Sequence, residues 1–230
     1  MLKLIKLEWK KNNTGKYIRN AAIMTIVLLI FIMAMAVELD ADSSMELYGR
    51  NTVNVAVELF THMAYIIFTG VMLASFVIGA YEKKTIHLMF SYPIKRQKIM
   101  LTKILAVWIF NYAALVLSKL LIYGVLYFTR PLTGISADSI QFGFLSFWLK
   151  IILSSAAMIS ITFIALLVGM KMKSSKAAIV ASVIIVCFTQ WNIGTYSLAY
   201  NVPFYILLFV LSVISVFLSI YHIEKKDVIS

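Results

Sequence analysis

The sequence has little cysteine, little charge and none of the residue groupings that common catalytic sites require. Its one cysteine, Cys187, excludes an intramolecular disulfide and a cysteine-based metal cluster. The three histidines, His62, His87 and His222, are too scattered for an H-E-x-x-H zinc helix, and no apolar segment holds a paired-carboxylate motif. No G-x-x-x-x-G-K-S/T phosphate-binding loop occurs either. We therefore expect no enzymatic activity, no metal site and no ATP hydrolysis by this chain alone.

The shortage of charge accompanies an excess of apolar residues. Charged residues make up 13% of the chain and hydrophobic residues 62%, with a mean hydropathy of +0.91. Globular domains are only ~45–50% apolar, so an ordinary soluble domain is excluded. A bilayer core of ~30 Å needs about 20 helical residues. The sequence predicts an all-α membrane protein with six transmembrane helices, at residues 21–37, 55–80, 104–128, 146–168, 177–191 and 203–221.

The fifth apolar run is the shortest of the six, and its outer boundary is poorly defined. The segment that follows it, 192–202, mixes polar and aromatic residues. Two interpretations remain open for this segment. It is either a re-entrant segment whose backbone is shielded by protein, or an ordinary surface loop.

The charges that are present are strongly biased in sign and position. The net charge of +11 would suggest nucleic acid as the partner of a soluble protein. Here, however, seventeen of the 21 basic residues fall at the termini or in alternate loops, and Asp40, Asp42, Glu46 and Asp138 fall in the other loops. The positive-inside rule then places both termini in the cytoplasm, and topology alone accounts for the charge. We expect no nucleic-acid partner.

The first nineteen residues form a distinct region, 1–19, ahead of the transmembrane domain, 20–230. Leu2, Ile5 and Trp9 share one helical face and lysines occupy another, which predicts an amphipathic helix in the membrane interface. The alternative is a disordered basic leader that only sets orientation. Polar residues at 12 and 13 and a glycine at 15 are expected to end the helix before the first span.

The segment between the second and third apolar runs, 81–103, is basic and amphipathic. Ile86, Met89 and Phe90 recur at helical spacing, and Pro93 then ends the helix. Such a segment is expected to lie at the membrane surface, where a soluble partner can bind it. A plain loop that only sets topology is the alternative.

Lys119 is the clearest charge inside an apolar run. A charge at that depth is costly and normally faces protein or water. By helical rise, a Lys119 side chain that reaches outward can meet His62 or Glu58 on the second span, and Asn111 adds a further polar group to the third. These four residues are the candidates for a substrate path or gate. The alternative is a lysine that only orients helices.

From Glu82 to Lys103 the sequence resembles the first cytoplasmic loop of ABC-2 type ABC transporter permeases, in particular the small bacterial peptide-export, antibiotic-export or immunity type. That loop reads Glu, basic residues, Gly-Thr, an apolar stretch, Ser-x-Pro-Ile-Ser-Arg and a later Lys. Lys84 and Lys95 depart from the pattern, standing where Gly and Ser are usual. The matching residues are Glu82, Thr85, Ser91, Pro93, Ile94, Arg96 and Lys103.

The resemblance implies a dimeric permease, homo- or heterodimeric, in the bacterial cell membrane. Its coupling helix would dock on a separate ABC ATPase subunit that holds ATP and magnesium, and substrate would be exported. Glu82 would cap or pin the cytoplasmic end of the second span. The residues implied in coupling are Glu82, Thr85, Ile86, Met89, Phe90, Ser91, Tyr92, Pro93 and Arg96. A secondary carrier built on Lys119 and a membrane sensor or anchor that transports nothing are the alternatives.

Overall fold

The computed structural model describes residues 2–41, 52–82, 96–133, 145–190, 192–193, 196–197 and 202–226. Helices dominate this part of the chain. A two-residue antiparallel pairing, with Asn192 opposite Ser197 and Ile193 opposite Tyr196, is the exception. The elements are α1 (Leu2–Lys11), α2 (Thr14–Ala41), α3 (Thr52–Leu73), a π-helical segment (Ala74–Ile78), α4 (Gly79–Glu82), α5 (Arg96–Thr133), α6 (Leu145–Ile161), α7 (Ile164–Met172), α8 (Ser175–Thr189), β1 (Asn192–Ile193), β2 (Tyr196–Ser197) and α9 (Val202–Lys226).

Five helical stretches in the described residues are long and apolar enough to cross a membrane, so the chain is an all-α, multi-pass membrane protein. The predicted fifth run corresponds to α8, whose 15 residues extend about 22 Å and fall short of a bilayer core of ~30 Å. Six complete spans are therefore not found by length alone. The five stretches are Thr14–Met35, Val53–Ile78, Gln97–Thr129, Leu145–Met172 and Pro203–Ile220.

The N-terminal helix is shorter than the predicted region 1–19. Helix α1 ends at Lys11, and Asn13 adopts a left-handed conformation with φ of 49° before α2 begins at Thr14. The break therefore lies at the predicted asparagines, whereas Gly15 already belongs to α2. Within α1, Ile5 is buried and the lysines are exposed, as the amphipathic pattern predicted.

The described chain divides into two compact units by its internal contacts. The first contains Met1–Thr14, Tyr65–Asn111 and Ala157–Ser230, and the second contains Gly15–Ala64 and Tyr112–Ala156. Helices α3, α5 and α6 each contribute several residues to both units.

In the first unit, α8 packs at short range against α7 and α3. A Cβ atom added to Gly169 would come within 2.7 Å of the Ala178 Cβ, and one added to Gly70 within 2.4 Å of the Ser182 Cβ. Small residues at these points let helices pack at short range in lipid. The turn between α7 and α8 is closed by Lys173 in the left-handed region, with the Ser174 amide donating to the Gly169 carbonyl oxygen.

The second unit has its own apolar core, built from α2, α3, α5 and α6. Tyr123 packs edge-to-face on Phe147 with ring centroids 5.1 Å apart. Around this pair lie the buried side chains of Ile32, Val53, Val57, Ile122, Leu126 and Ile151. Large apolar side chains elsewhere on α2 and α9, such as Ile30 and Phe217, are exposed, as expected for surfaces that face lipid.

Candidate functional site

Most of the predicted coupling residues lie outside the described residues. Thr85, Ile86, Met89, Phe90, Ser91, Tyr92 and Pro93 fall within 83–95. The described chain ends at Glu82 on one side of this segment and resumes with Arg96, the first residue of α5, on the other. The structure therefore describes the residues on both sides of the predicted coupling segment in the chain.

Glu82 holds the beginning of α8. Its Oε2 accepts a hydrogen bond of 2.6 Å from the Ser175 hydroxyl and one of 3.3 Å from the Ser175 amide. An amide in the first turn of a helix has no partner within that helix, and the helix dipole favours a carboxylate there. Glu82 thus ties the last residue of the α3–α4 helix to the N-terminus of α8.

On the other side of the segment, Lys103 forms a buried ion pair with Glu8. The Lys103 Nζ lies 3.1 Å from the Glu8 Oε2 and also donates to the Phe76 carbonyl oxygen at 3.0 Å. Trp9 follows Glu8 in α1 and donates from its indole nitrogen to the Ala106 carbonyl oxygen at 3.1 Å. Two contacts therefore fasten α1 to the first turns of α5.

Sequence reasoning did not identify Glu8 as a functional residue. The sequence did offer one signal, because Glu8 is the single acidic residue of a lysine-rich helix. It directly precedes Trp9, which belongs to the apolar face of that helix. A lone carboxylate in such a place is a candidate partner for a distant buried cation, because buried charges are normally paired.

Both connections reach the π-helical segment of the second span. The Phe76 carbonyl oxygen accepts from Lys103, and the Ala74 carbonyl oxygen accepts from the Ser175 hydroxyl at 3.4 Å as well as from the Gly79 amide. A π-helical turn is rare and is frequently found at functional sites. Here the π-helical segment ends four residues before the predicted coupling segment, and side chains from α5 and α8 donate hydrogen bonds to it.

The second unit contains the predicted intramembrane cluster. Lys119 is fully buried, and its Nζ lies 2.8 Å from the His62 Nε2 and 3.1 Å from the Ser154 Oγ. The structure therefore brings Lys119 and His62 together, as helical rise had suggested. Ser154 on α6 was not foreseen, since a serine in an apolar helix carries no distinguishing signal.

Glu58 and Asn111 occupy different positions from those of the central pair. Glu58 is half-buried and close enough to attract Lys119 electrostatically, but within the described residues it makes no hydrogen bond to it. Asn111 belongs to the first unit, where its amide nitrogen donates to the Val107 carbonyl oxygen at 2.8 Å. The candidate site of the second unit thus consists of Lys119, His62 and Ser154, with Glu58 as the nearby negative charge.

Comparison with known proteins gives one informative relative. The chain is 23% identical over 227 residues to the uncharacterized protein YcbO of Bacillus subtilis (strain 168), covering 98% of this chain and all of that protein. No family model and no solved structure matches. The similarity extends over almost the whole length of the chain and carries no activity with it.

No group of three or more histidine, cysteine or acidic side chains suited to a metal ion occurs in the described residues. Two buried ammonium groups, Lys103 in the first unit and Lys119 in the second, are the buried lysines of the described residues. Such groups can hold helices together, bind an anion or share a proton with a histidine.

Proposed function

We propose that this chain is the membrane-spanning permease subunit of an ATP-driven bacterial exporter, coupled to a separate ABC ATPase subunit. In this proposal α8 completes a sixth crossing, and both termini lie in the cytoplasm of a plasma-membrane protein. The seventeen clustered basic residues support that orientation.

One observation carries the proposal. Residues on both sides of the segment 83–95 contact other helices: Glu82, which directly precedes it, binds Ser175 of α8, and Lys103, eight residues after it, binds Glu8 of α1. A segment that receives force from an ATPase needs such anchors, because a displacement of an unattached loop would not reach the spans. In the sequence, these two contacts lie on either side of most of the residues that resemble the coupling loop of ABC-2 permeases.

The substrate that fits this proposal is amphipathic, a peptide or an antibiotic. The family resemblance supports this class, and the two units offer largely apolar surfaces with isolated polar groups rather than a hydrophilic channel. The exporter would function as a homo- or heterodimer of permease chains.

Affinity purification from native membranes tests the coupling proposal. We expect an ABC ATPase to copurify with the wild-type chain and to be lost from a Met89→Asp, Phe90→Asp variant. A Met172→Asp variant serves as the control, since Met172 is an exposed methionine at the end of α7 in the next basic loop. Absence of an ATPase from an abundant, intact wild-type preparation would overturn the proposal.

A secondary carrier is the second candidate function, and one observation favours it. Lys119 contacts His62, and the charge of Glu58 acts on Lys119 electrostatically, so three ionisable groups interact in this unit. Such groups are characteristic of proton-linked carriers. Transport by the chain reconstituted alone, driven by a pH gradient and insensitive to ATP, would establish this function in place of the first.

A further inference from the structure

A cavity in the first unit has the size and lining of a lipid headgroup site. Its volume is about 480 Å³, and it lies among the ends of helices α1, α4 and α8 and the first turns of α5. Its polar wall includes Lys11, Asn12, Glu82 and Lys103, while Val71 and Ile179 extend it toward the apolar part of the spans. A cavity with one polar and one apolar end matches an amphiphile rather than a small hydrophilic ion.

Lys103 contributes a donor that the protein leaves available. An ammonium group has three N–H bonds, and within the described residues Lys103 uses two of them, for Glu8 and for the Phe76 carbonyl oxygen. The residue is only 2% exposed, and a buried donor without an acceptor is costly. An acceptor in the cavity would satisfy it.

The charged residues of the cavity wall fit a zwitterionic ligand better than a simple anion. Lys103 is paired with Glu8, and Lys11 adds a second lysine to the same end of the cavity wall. Glu82 supplies a negative charge on the same cavity while its Oε2 binds Ser175. A phosphate would meet Lys11, Asn12 and Lys103, and an attached ammonium group would meet Glu82.

We propose that this cavity binds a phospholipid whose headgroup carries both a phosphate and a primary ammonium, as in phosphatidylethanolamine. The site borders the π-helical segment and both anchors of the segment 83–95. A bound headgroup would add contacts between α1, α4 and α5 at the membrane surface. Lipid binding at this cavity does not depend on which transport function the chain has.

Lipid retention measures this binding directly. The full chain is reconstituted with equal amounts of phosphatidylethanolamine and phosphatidylglycerol, extracted in mild detergent, and its bound lipids are counted by native mass spectrometry. We expect the wild-type chain to retain phosphatidylethanolamine in preference to phosphatidylglycerol. Lys11→Gln should lower retention about fivefold, the effect of one lysine near a lipid phosphate.

Two further variants make the test specific. Lys10→Gln removes the neighbouring exposed lysine of α1, which is not among the described residues of the cavity wall, and should leave retention unchanged. Glu82→Gln keeps an oxygen for Ser175 but removes the charge, and should abolish the preference between the two lipids. Equal retention of both lipids by the wild type, or unchanged retention in Lys11→Gln, would overturn the proposal. Displacement of the lipid by millimolar inorganic phosphate would show a phosphate site instead.

Discussion

The ammonium of Lys103 lies 3.1 Å from the carboxylate of Glu8, although 95 residues separate the two in the chain. Their side chains are 3% and 10% exposed. The pair thus joins the helix that precedes the first span to the beginning of the third, beside a π-helical segment of the second. Its position allows a direct test of how the first unit is held together.

Removing one charge of this ion pair should destabilise the protein more than removing both charges. Glu8→Gln leaves the Lys103 ammonium buried without a counter-charge, a loss that typically costs about 3–5 kcal/mol. The double variant Glu8→Gln, Lys103→Met removes both charges and should recover most of that stability. Thermal unfolding in detergent compares the two variants with the wild type.

Lys98→Met is the control for these variants, since Lys98 lies in the first turn of the same helix and is exposed. It should unfold within the error of the wild type. If Glu8→Gln unfolds at the wild-type temperature, the ion pair contributes nothing to the stability of the first unit.

Replacing Lys119 should remove transport without removing the protein from the membrane. Methionine has a similar length and no charge, so Lys119→Met relieves the cost of a buried ammonium while losing the bonds to His62 and Ser154. We expect normal membrane abundance and, if the chain forms the proposed complex with an ABC ATPase, loss of substrate-stimulated ATP hydrolysis by that complex.

Lys150→Met provides the matched comparison, because Lys150 is an exposed lysine of the same unit. That variant should keep its activity. Full activity of Lys119→Met would show that the buried lysine only orients helices.

The contact between Gly70 and Ser182 predicts a helix interface that tolerates no added methyl group. A Cβ at position 70 would overlap the Ser182 side chain at 2.3 Å, so Gly70→Ala should lose about 1–3 kcal/mol of stability through forced displacement of α8. Gly124 has no atom within 4 Å of its added Cβ, so Gly124→Ala should be neutral or slightly stabilising. Chemical denaturation in mixed micelles compares the two, and equal stability would contradict the interface.

Replacing the left-handed residue at the end of α7 with glycine should stabilise the protein. Lys173 has φ of 48°, a conformation that glycine adopts without steric penalty, so Lys173→Gly should gain about 1 kcal/mol. Lys171 is still helical, and Lys171→Gly should lose a similar amount. Opposite shifts in the unfolding midpoint would confirm the helix end, and a loss in both variants would contradict it.

Local pattern was enough to locate several features that the structure contains. The break after α1 followed from consecutive asparagines, and the exposed lysines and buried Ile5 followed from helical spacing. The meeting of Lys119 with His62 followed from counting residues along two antiparallel spans. Glu58 was an equal candidate by that count, and side-chain packing in the second unit selected His62 for the hydrogen bond.

Other features depended on pairings between distant helices. Glu8 was recognisable as the single acidic residue of α1, but nothing local identified Lys103 as its partner. The close approach of Gly169 to Ala178 likewise depended on how two helices pack. The π-helical segment had no sequence signal, since its residues are those of any apolar helix. The ion pair, the close helix contact and the π-helical segment all depend on packing or hydrogen bonding between residues that are far apart in the chain.

The sequence by itself determined that this is a multi-pass helical membrane protein, because only continuous apolar helices satisfy the backbone in lipid, and that requirement acts on each segment alone. It also determined the uneven distribution of basic residues, which no tertiary contact can alter. The tertiary structure decided which buried charges meet, where helices touch and where a headgroup-sized cavity remains. Those outcomes depend on shape and hydrogen-bond complementarity between helices that are far apart in the chain, and a one-dimensional pattern does not contain them.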